Sequence, residues 1–222
     1  MKNRSLILLL ACTFLVPTGC ADRSIEKGNT SLQLGDYEMA ISFFQQVLRK
    51  DPRSYDARLG MGKALIQRAV DHADDTTSWR HALTHLEAAR TLRPEEDIGS
   101  LLAEAWTVHA RSLLGAGDTI EALSGLARAI EHNPGSVEPL NLAGIVYFKI
   151  GDANKAEALF RKAVDLDTEH PSGYFNLGMV YWRRGRLADA RGYWLKALKL
   201  APDDEDILYW FALAEKQLRE EQ

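Results

Sequence analysis

The sequence predicts an all-α protein, a superhelical solenoid of five helix-turn-helix units with a closing helix, on three observations. A block with fixed internal spacing returns five times between residues 21 and 204, so the chain repeats one small unit. Within each block a small residue recurs where a large apolar one must be accommodated, as close packing of two helices requires. Glycines divide most blocks, and prolines follow most of them, at the places where helices are expected to end.

The first twenty residues have the pattern of an export signal. A basic head at Lys2 and Arg4 precedes a mostly apolar run that is too short to span a membrane. The small residue Gly19 then precedes Cys20. This order resembles the signal of bacterial lipoproteins, in which the cysteine is acylated and becomes the first residue of the mature protein. The resemblance predicts a signal peptide over residues 1–19 and lipidation of Cys20.

A second cleavage site stays open. Gly19-Cys20-Ala21 also satisfies the small-x-small rule of ordinary signal peptidase, which would leave a soluble periplasmic protein that begins at Asp22. Pro17 departs from the lipoprotein pattern, which has leucine or a similar residue at that place. Ala21 stands where the resemblance puts an aspartate for inner-membrane retention, so the outer membrane is favoured. We therefore expect a cell-envelope protein, lipid-anchored and facing the periplasm.

The repeated unit is best seen in its second helix. An alanine is followed four residues later by a large apolar residue, and seven residues later by alanine or valine. The first helix carries a glycine or an alanine at a matching place, where the two helices press together. The second-helix pairs are Ala40 with Phe44, Ala82 with Leu86, Ala122 with Leu126, Ala156 with Phe160 and Ala190 with Trp194; the first-helix residues are Gly28, Gly62, Ala110, Gly144 and Gly178.

This spacing resembles the tetratricopeptide repeat, whose period is about 34 residues. The resemblance implies five repeats, at about residues 21–54, 55–96, 97–136, 137–170 and 171–204. Residues 205–222 then form a C-terminal capping helix. We expect that helix to turn four apolar residues toward the fifth hairpin: Leu208, Phe211, Ala212 and Leu218.

Departures from the repeat predict local changes. The second repeat carries a polar insertion near residues 71–78, which we interpret as a solvated loop. Extra residues at 97–102 predict a longer first helix in the third hairpin. The fourth repeat has Thr168 where proline is expected, with Pro171 three residues later, so we predict a longer or softer turn there.

Charge and cysteine content limit the classes of function. The net charge is −4 and becomes more negative once Lys2 and Arg4 are removed, which argues against nucleic-acid binding. Both cysteines, Cys12 and Cys20, lie in the leader, so the folded body has no disulfide and no thiolate metal site. We expect no cofactor and no small-molecule substrate.

The remaining alternative from another class is a metal-dependent enzyme that uses His81 and His85. These residues lie four apart on a predicted helix, so both rings could reach one metal. The sequence shows no third ligand, no zinc-protease glutamate, no phosphate-binding glycine loop and no nucleophile motif. We therefore predict no catalytic residue and no metal site.

The resemblance implies that a partner protein or peptide binds the concave face, which the first helices line. The first two repeats offer a polar set there, which includes Glu26, Asn29, Gln33 and Asp56. In the last two repeats asparagines can hold a peptide backbone, aromatic and methionine side chains give apolar contact, and arginine is frequent at hot spots. The predicted partner-binding residues are Asn141, Ile145, Phe148, Phe175, Asn176, Met179, Trp182 and Arg183.

An alternative interpretation treats the aromatic members of this set as core residues between adjacent first helices. The functional hypothesis is a non-catalytic protein–protein interaction scaffold, anchored to a membrane by an N-terminal lipid. It would act in envelope assembly or secretion, such as pilus or secretin biogenesis. A soluble periplasmic chaperone or adaptor is the alternative.

Overall fold

The computed structural model describes residues 18–72 and 77–221, and these ranges contain eleven α-helices and no strand. The all-α prediction is confirmed. None of these helices combines the length and the apolar character needed to cross a bilayer. The helices are α1 Thr18–Gln33, α2 Tyr37–Lys50, α3 Tyr55–Asp71, α4 Ser78–Leu92, α5 Gly99–Gly115, α6 Thr119–His132, α7 Val137–Lys149, α8 Ala153–Leu166, α9 Pro171–Arg183, α10 Leu187–Leu200 and α11 Glu205–Glu220.

Consecutive helices pair into five hairpins, α1/α2 to α9/α10, and α11 packs on α10. The first helices of successive hairpins contact each other in the order α1, α3, α5, α7, α9. Each second helix packs instead on its own partner and on the first helix of the next hairpin. The first helices therefore line the inner, concave side of a curved stack. The predicted solenoid of five hairpins with a closing helix is confirmed.

Glycine and aspartate together make the turn inside a hairpin. Gly117 and Gly151 have φ of 85° and 93°, a conformation that residues with a side chain rarely adopt. The carboxylate of the following Asp152 accepts a hydrogen bond from the backbone N–H of Lys155 at 3.0 Å and so caps α8. One short sequence therefore ends the first helix and starts the second.

Small residues against large ones hold each hairpin together. A Cβ on Gly144 would lie 2.4 Å from the ring of Phe160, and one on Gly178 would lie 2.3 Å from the indole of Trp194. Both rings are buried. The signature residues of the repeat are therefore core residues, and any binding specificity has to come from other positions.

The departures from the repeat had different outcomes. α5 has 17 residues, which is longer than the 13 of α7 and α9 but equal to α3, so the prediction of a longer first helix in the third hairpin holds only against the last two hairpins. The turn between the fourth and fifth hairpins is not lengthened. α8 ends at Leu166 and α9 begins at Pro171, and the same number of residues separates α6 from α7 between the third and fourth hairpins. The Asp167 carboxylate accepts the N–H of Glu169 at 3.1 Å, as Asp51 and Asn133 accept in the turns that have the proline, so the same local turn forms with Thr168.

The capping helix is rotated from its predicted orientation. Phe211 and Leu218 are half-buried, whereas Leu208 and Ala212 are exposed, so the prediction was wrong for those two residues. Ile207, one position before Leu208, is buried against the fifth hairpin instead. Since neighbouring helical residues point about 100° apart, burying Ile207 turns Leu208 outward.

Two predicted features lie partly outside the described residues. The signal peptide falls almost entirely within residues 1–17, and the polar insertion includes residues 73–76. The backbone of α1 begins at Thr18, so position 20 lies within the helix.

Candidate functional site

The predicted partner-binding residues lie on two neighbouring first helices. α7 carries the first three and α9 carries the other five, and these two helices contact each other on the concave side. All eight are half-buried except the exposed Arg183. The set therefore lies at the boundary between core and surface, where a side chain can pack on one side and contact a ligand on the other.

Asn141 and Ile145 share an open pocket of about 350 Å³ between α5, α7 and the start of α9. Arg111 and Glu138, which form an ion pair, lie at its edge together with His170. The carbonyl oxygen Oδ1 of Asn141 is buried and accepts no hydrogen bond from any described residue. Such an acceptor costs about 1–3 kcal/mol relative to a satisfied one. The oxygen is shielded from solvent but the side chain is half-buried at the pocket, so a rotation of the amide would present this acceptor to a ligand that donates an N–H there.

Trp182 belongs to a cluster of indole rings that joins the fifth hairpin to α11. Its ring centroid lies 5.7 Å from that of Trp194 and 5.6 Å from that of Trp210. Phe175 and Met179 pack against the same cluster, and the Trp194 N–H donates to the carbonyl oxygen of Phe175 at 3.1 Å. These three predicted residues therefore have a packing role, and their part in binding stays a prediction.

Arg183 and Phe148 tie the fourth hairpin to the fifth. The Arg183 guanidinium donates to the backbone carbonyl of Phe148, near the C-terminal end of α7, and lies 4.9 Å from the centroid of the Phe148 ring. A guanidinium has five N–H donors, and the exposed side chain keeps others for a ligand. Asn176, half-buried on α9, makes no side-chain hydrogen bond to a described residue, so its amide is also available.

The N-terminal end of the concave face has a different lining. An open pocket of about 420 Å³ lies between α1 and the start of α3, lined by Glu26, Asn29, Gln33 and Asp56 with Ile25. Asp56 faces Arg93 at 3.8 Å. Four of these residues belong to the polar set predicted for the first two repeats, and the structure brings them together.

A polar network between α8 and α9 was not predicted from the sequence. Glu157 accepts hydrogen bonds from the hydroxyl of Tyr181 at 2.6 Å, from Arg161 at 2.9 Å and from Arg184. Burial opposes ionisation of Glu157, but these donors outweigh it and lower the pKa of its carboxyl to about 2. Tyr181 is the tyrosine of the repeat's Leu-Gly-x-x-Tyr signature, but Glu157 and the two arginines are at positions that the signature leaves open, so it does not predict their contacts.

His81 and His85 lie on α4, in a groove on the outer face that also contains residues of α2 and α3. The Nδ1 atom of His85 is buried and has no hydrogen-bond partner within the described part of the chain. Burial, with Arg58 and His81 nearby, lowers the pKa of His85. No group of three or more histidine, cysteine or acidic side chains in residues 18–72 and 77–221 could hold a metal ion.

Five stacked hairpins with a lined concave face define an α-solenoid repeat protein. Tetratricopeptide repeat family models match residues 107–171, 141–205 and 175–218 in overlapping copies, and a further one matches residues 31–69. The chain belongs to the tetratricopeptide repeat family. Repeats of this family generally act as non-enzymatic scaffolds for protein interactions.

Relatives and solved structures agree on the fold. BimA from Emericella nidulans is 24% identical over 165 residues, which is 73% of this chain and 20% of BimA. The crystal structure of MamA superposes with a TM-score of 0.59 at 22% identity, covering 82% of this chain and 92% of that one. YrrB, described as a TPR protein with an unusual peptide-binding site, gives 0.60 at 21% identity, covering 85% and 90%. The chain thus spans about a fifth of BimA, and these structural likenesses show the fold alone.

Proposed function

We propose that the protein is a non-catalytic scaffold that binds an extended peptide segment of a partner protein across its third to fifth hairpins. The observation that carries the proposal is the buried, unpaired Oδ1 of Asn141 in the concave pocket between α5 and α7. A rotation of the half-buried amide brings this oxygen to the pocket, where a backbone N–H of an extended peptide supplies the donor that it lacks. The description of YrrB as a peptide-binding member of the same fold supports the choice of ligand.

The rest of the groove supplies the other contacts of an extended peptide. An apolar side chain beside the bound N–H fits against Ile145 in the same pocket. Further along, the unused donors of Arg183 and the amide of Asn176 face peptide carbonyl groups. Direct hydrogen bonds of this kind contribute about 0.5–1.5 kcal/mol each, so several are needed for specific binding.

The test selects peptides from a displayed random library on the full protein and measures their dissociation constants with variants. We expect Asn141→Ala to weaken a selected peptide about tenfold or more, since the loss of one buried hydrogen bond costs about 1–3 kcal/mol. Asn29→Ala is the matched control, because Asn29 is an exposed asparagine on α1, at the other end of the concave face. Selected peptides that bind both variants equally well would refute the proposal.

The proposal places this scaffold in the cell envelope, with a lipid on Cys20 and the outer membrane as the favoured site. The export-signal pattern of residues 1–20 supports this localisation. Since Cys20 would be the first residue of the mature chain and α1 extends to Gln33, a lipid there would hold the stack close to the membrane. A scaffold anchored there would act in the assembly or secretion of envelope structures, such as pilus or secretin biogenesis.

Mass spectrometry of the mature N-terminus, after expression with the intact leader in a diderm bacterium, tests the anchor. Acylated Cys20 at the N-terminus is the expected result, and Cys20→Ala should release the protein from the membrane fraction. Cys12→Ala is the matched control, because it removes the other leader cysteine. A mature chain that begins at unmodified Asp22 would favour the soluble periplasmic alternative.

A further inference from the structure

A second groove lies on the outer face of the stack, away from the concave side. It runs between α2 and α4, the second helices of the first two hairpins, with α3 as its floor, and its volume is about 570 Å³. Its floor is apolar, with Ile41, Met61 and Leu65 buried at the bottom. The volume lies within the ~300–1,000 Å³ that is usual for ligand-binding clefts.

The rim of this groove is basic and no carboxylate lines it, although acids outnumber bases in the chain by 31 to 27. Arg49 at the end of α2 and His81 near the start of α4 are exposed. Neither makes a hydrogen bond or ion pair with a residue in the described ranges. Arg68 also lines the groove but is engaged by Glu38 at 2.9 Å. Arg49 therefore carries the positive charge in this groove that is available to a ligand.

The half-buried His85 on the wall of this groove adds an unfilled hydrogen-bonding position at its buried Nδ1 atom. Nδ1 of His85 has no partner among the described residues, although buried polar atoms nearly always have one. A neutral imidazole presents one N–H donor and one acceptor, so a flip of the ring that turns this nitrogen to the cleft lets it serve either a carboxylate or a backbone group. Apolar floor, basic rim and unpaired nitrogen thus occur in one cleft.

We propose that this outer groove docks a segment of a partner protein that presents an aliphatic side chain next to a carboxylate. The aliphatic group packs on Met61 and Leu65, and the carboxylate binds Arg49 and the imidazole of His81. Charge complementarity selects this occupant, since an acidic group is the one that the unpaired Arg49 favours and that an imidazole N–H can donate to. The groove is separate from the concave face, so the protein would hold two partners, or two parts of one partner, at once.

The probe for this site is a capped tripeptide, acetyl-Leu-Leu-Glu-amide, and its isostere with Gln in place of Glu. Each is titrated into the full protein while NMR resonances of α2, α4 and the two histidine rings are followed. We expect weak binding of the Glu peptide, shifts confined to these resonances, and about tenfold weaker binding of the Gln peptide, as loss of one charge-assisted hydrogen bond implies.

Variants at the rim distinguish specific docking from general attraction to basic residues. Arg49→Gln should weaken the Glu peptide about tenfold, while Lys50→Gln, which removes the neighbouring exposed base outside the groove, should leave it unchanged. Equal affinity of the Glu and Gln peptides, no binding of either, or shifts on α7 and α9 would overturn the proposal. A peptide selected for the concave groove should not compete with the Glu peptide, so failure of either proposal is separable from the other.

Discussion

The two ends of the concave face share one framework and differ in what they can hold. At the N-terminal end Glu26 and Asp56 line a polar pocket, whereas at the C-terminal end Asn141 and Ile145 line a pocket with an unpaired carbonyl oxygen. The positions that set the repeat are small or large apolar residues at both ends. The difference shows that specificity in this solenoid comes from the first-helix residues between the signature positions.

The largest expected effect tests whether the C-terminal end depends on its tryptophan cluster. Trp194→Ala removes a fully buried indole that contacts two other rings, and should lower the free energy of unfolding by about 3–5 kcal/mol. Urea denaturation followed by circular dichroism measures it. Leu195→Ala, at the adjacent exposed position, should change stability by less than about 0.5 kcal/mol. Similar losses in both variants would contradict the assigned role of the cluster.

The next effect tests whether equivalent glycines matter equally at both ends. Gly144→Ala and Gly28→Ala would each push a Cβ into a buried phenylalanine ring, at 2.4 and 2.6 Å, and should each destabilise the fold by about 1–3 kcal/mol. Gly192, on the exposed side of α10, is the control: a Cβ there meets nothing within 4 Å. Thermal unfolding should show Gly192→Ala stabilised by roughly 0.5–1 kcal/mol, since alanine is the better helix former.

A smaller effect on stability depends on pH and concerns the hydrogen-bond network of Glu157 between α8 and α9. The pKa of Glu157 is about 2 in the folded protein and near its ordinary 4.5 when unfolded, so its stabilisation is complete above pH 4.5 and is lost as pH falls toward 2. We expect this loss of stability to be about 1–2 kcal/mol, less than the full pKa shift would imply, because water weakens the interaction between Glu157 and its partly exposed arginine partners.

Unfolding of the wild type and Glu157→Gln at pH 6 and pH 3 measures that contribution. The variant should be less stable at pH 6 and should lose less on acidification. Glu38→Gln is the matched control, because Glu38 pairs with Arg68 between α2 and α3 but is largely exposed. A wild type and a Glu157→Gln variant that respond identically to acid would show that the network adds nothing to stability.

The last prediction concerns a substitution at Asn141 that should stabilise the fold, unlike the substitutions at Trp194, Gly144 and Glu157. Asn141→Leu replaces a half-buried amide, whose carbonyl oxygen is buried and unsatisfied, with an apolar group of similar size and should raise the free energy of unfolding by about 1 kcal/mol. The same variant should lose binding of a peptide selected for the concave groove. Calorimetry of both properties checks it, with Asn29→Leu expected to change neither. A destabilised Asn141→Leu would mean that this amide already has a partner in the free protein.

The sequence predicted what is local and repeated. Gly144 opposite Phe160 and the turn at Gly151 follow from spacing within one unit, so the fold and the hairpins could be derived without coordinates. The contacts between units could not. Glu157 meets Arg184 across two hairpins, and no repeat signature marks either residue. The prediction that Leu208 faces the fifth hairpin was wrong for the same reason, because the rotation of α11 is set by its packing on α10.

The structure gives the positions of the predicted partner-binding residues, while their part in binding stays a prediction. The structure places Asn141 and Ile145 in one pocket, as positions taken from the repeat imply. It also shows Trp182 in a packed indole cluster with Trp210, a residue that the pattern did not single out. Aromatic residues at helical spacing look alike in sequence whether they pack or bind, and only the neighbouring helix decides.

Successive hairpins are joined mainly by the second helix of one packing on the first helix of the next, with a lighter contact between first helices on the inner side. Each described hairpin packs only on its neighbours, so the curvature of the groove is the sum of the angles at four separate junctions. A partner longer or shorter than the resting groove would therefore be accommodated by small rotations shared among these junctions, with no single hairpin forced to deform.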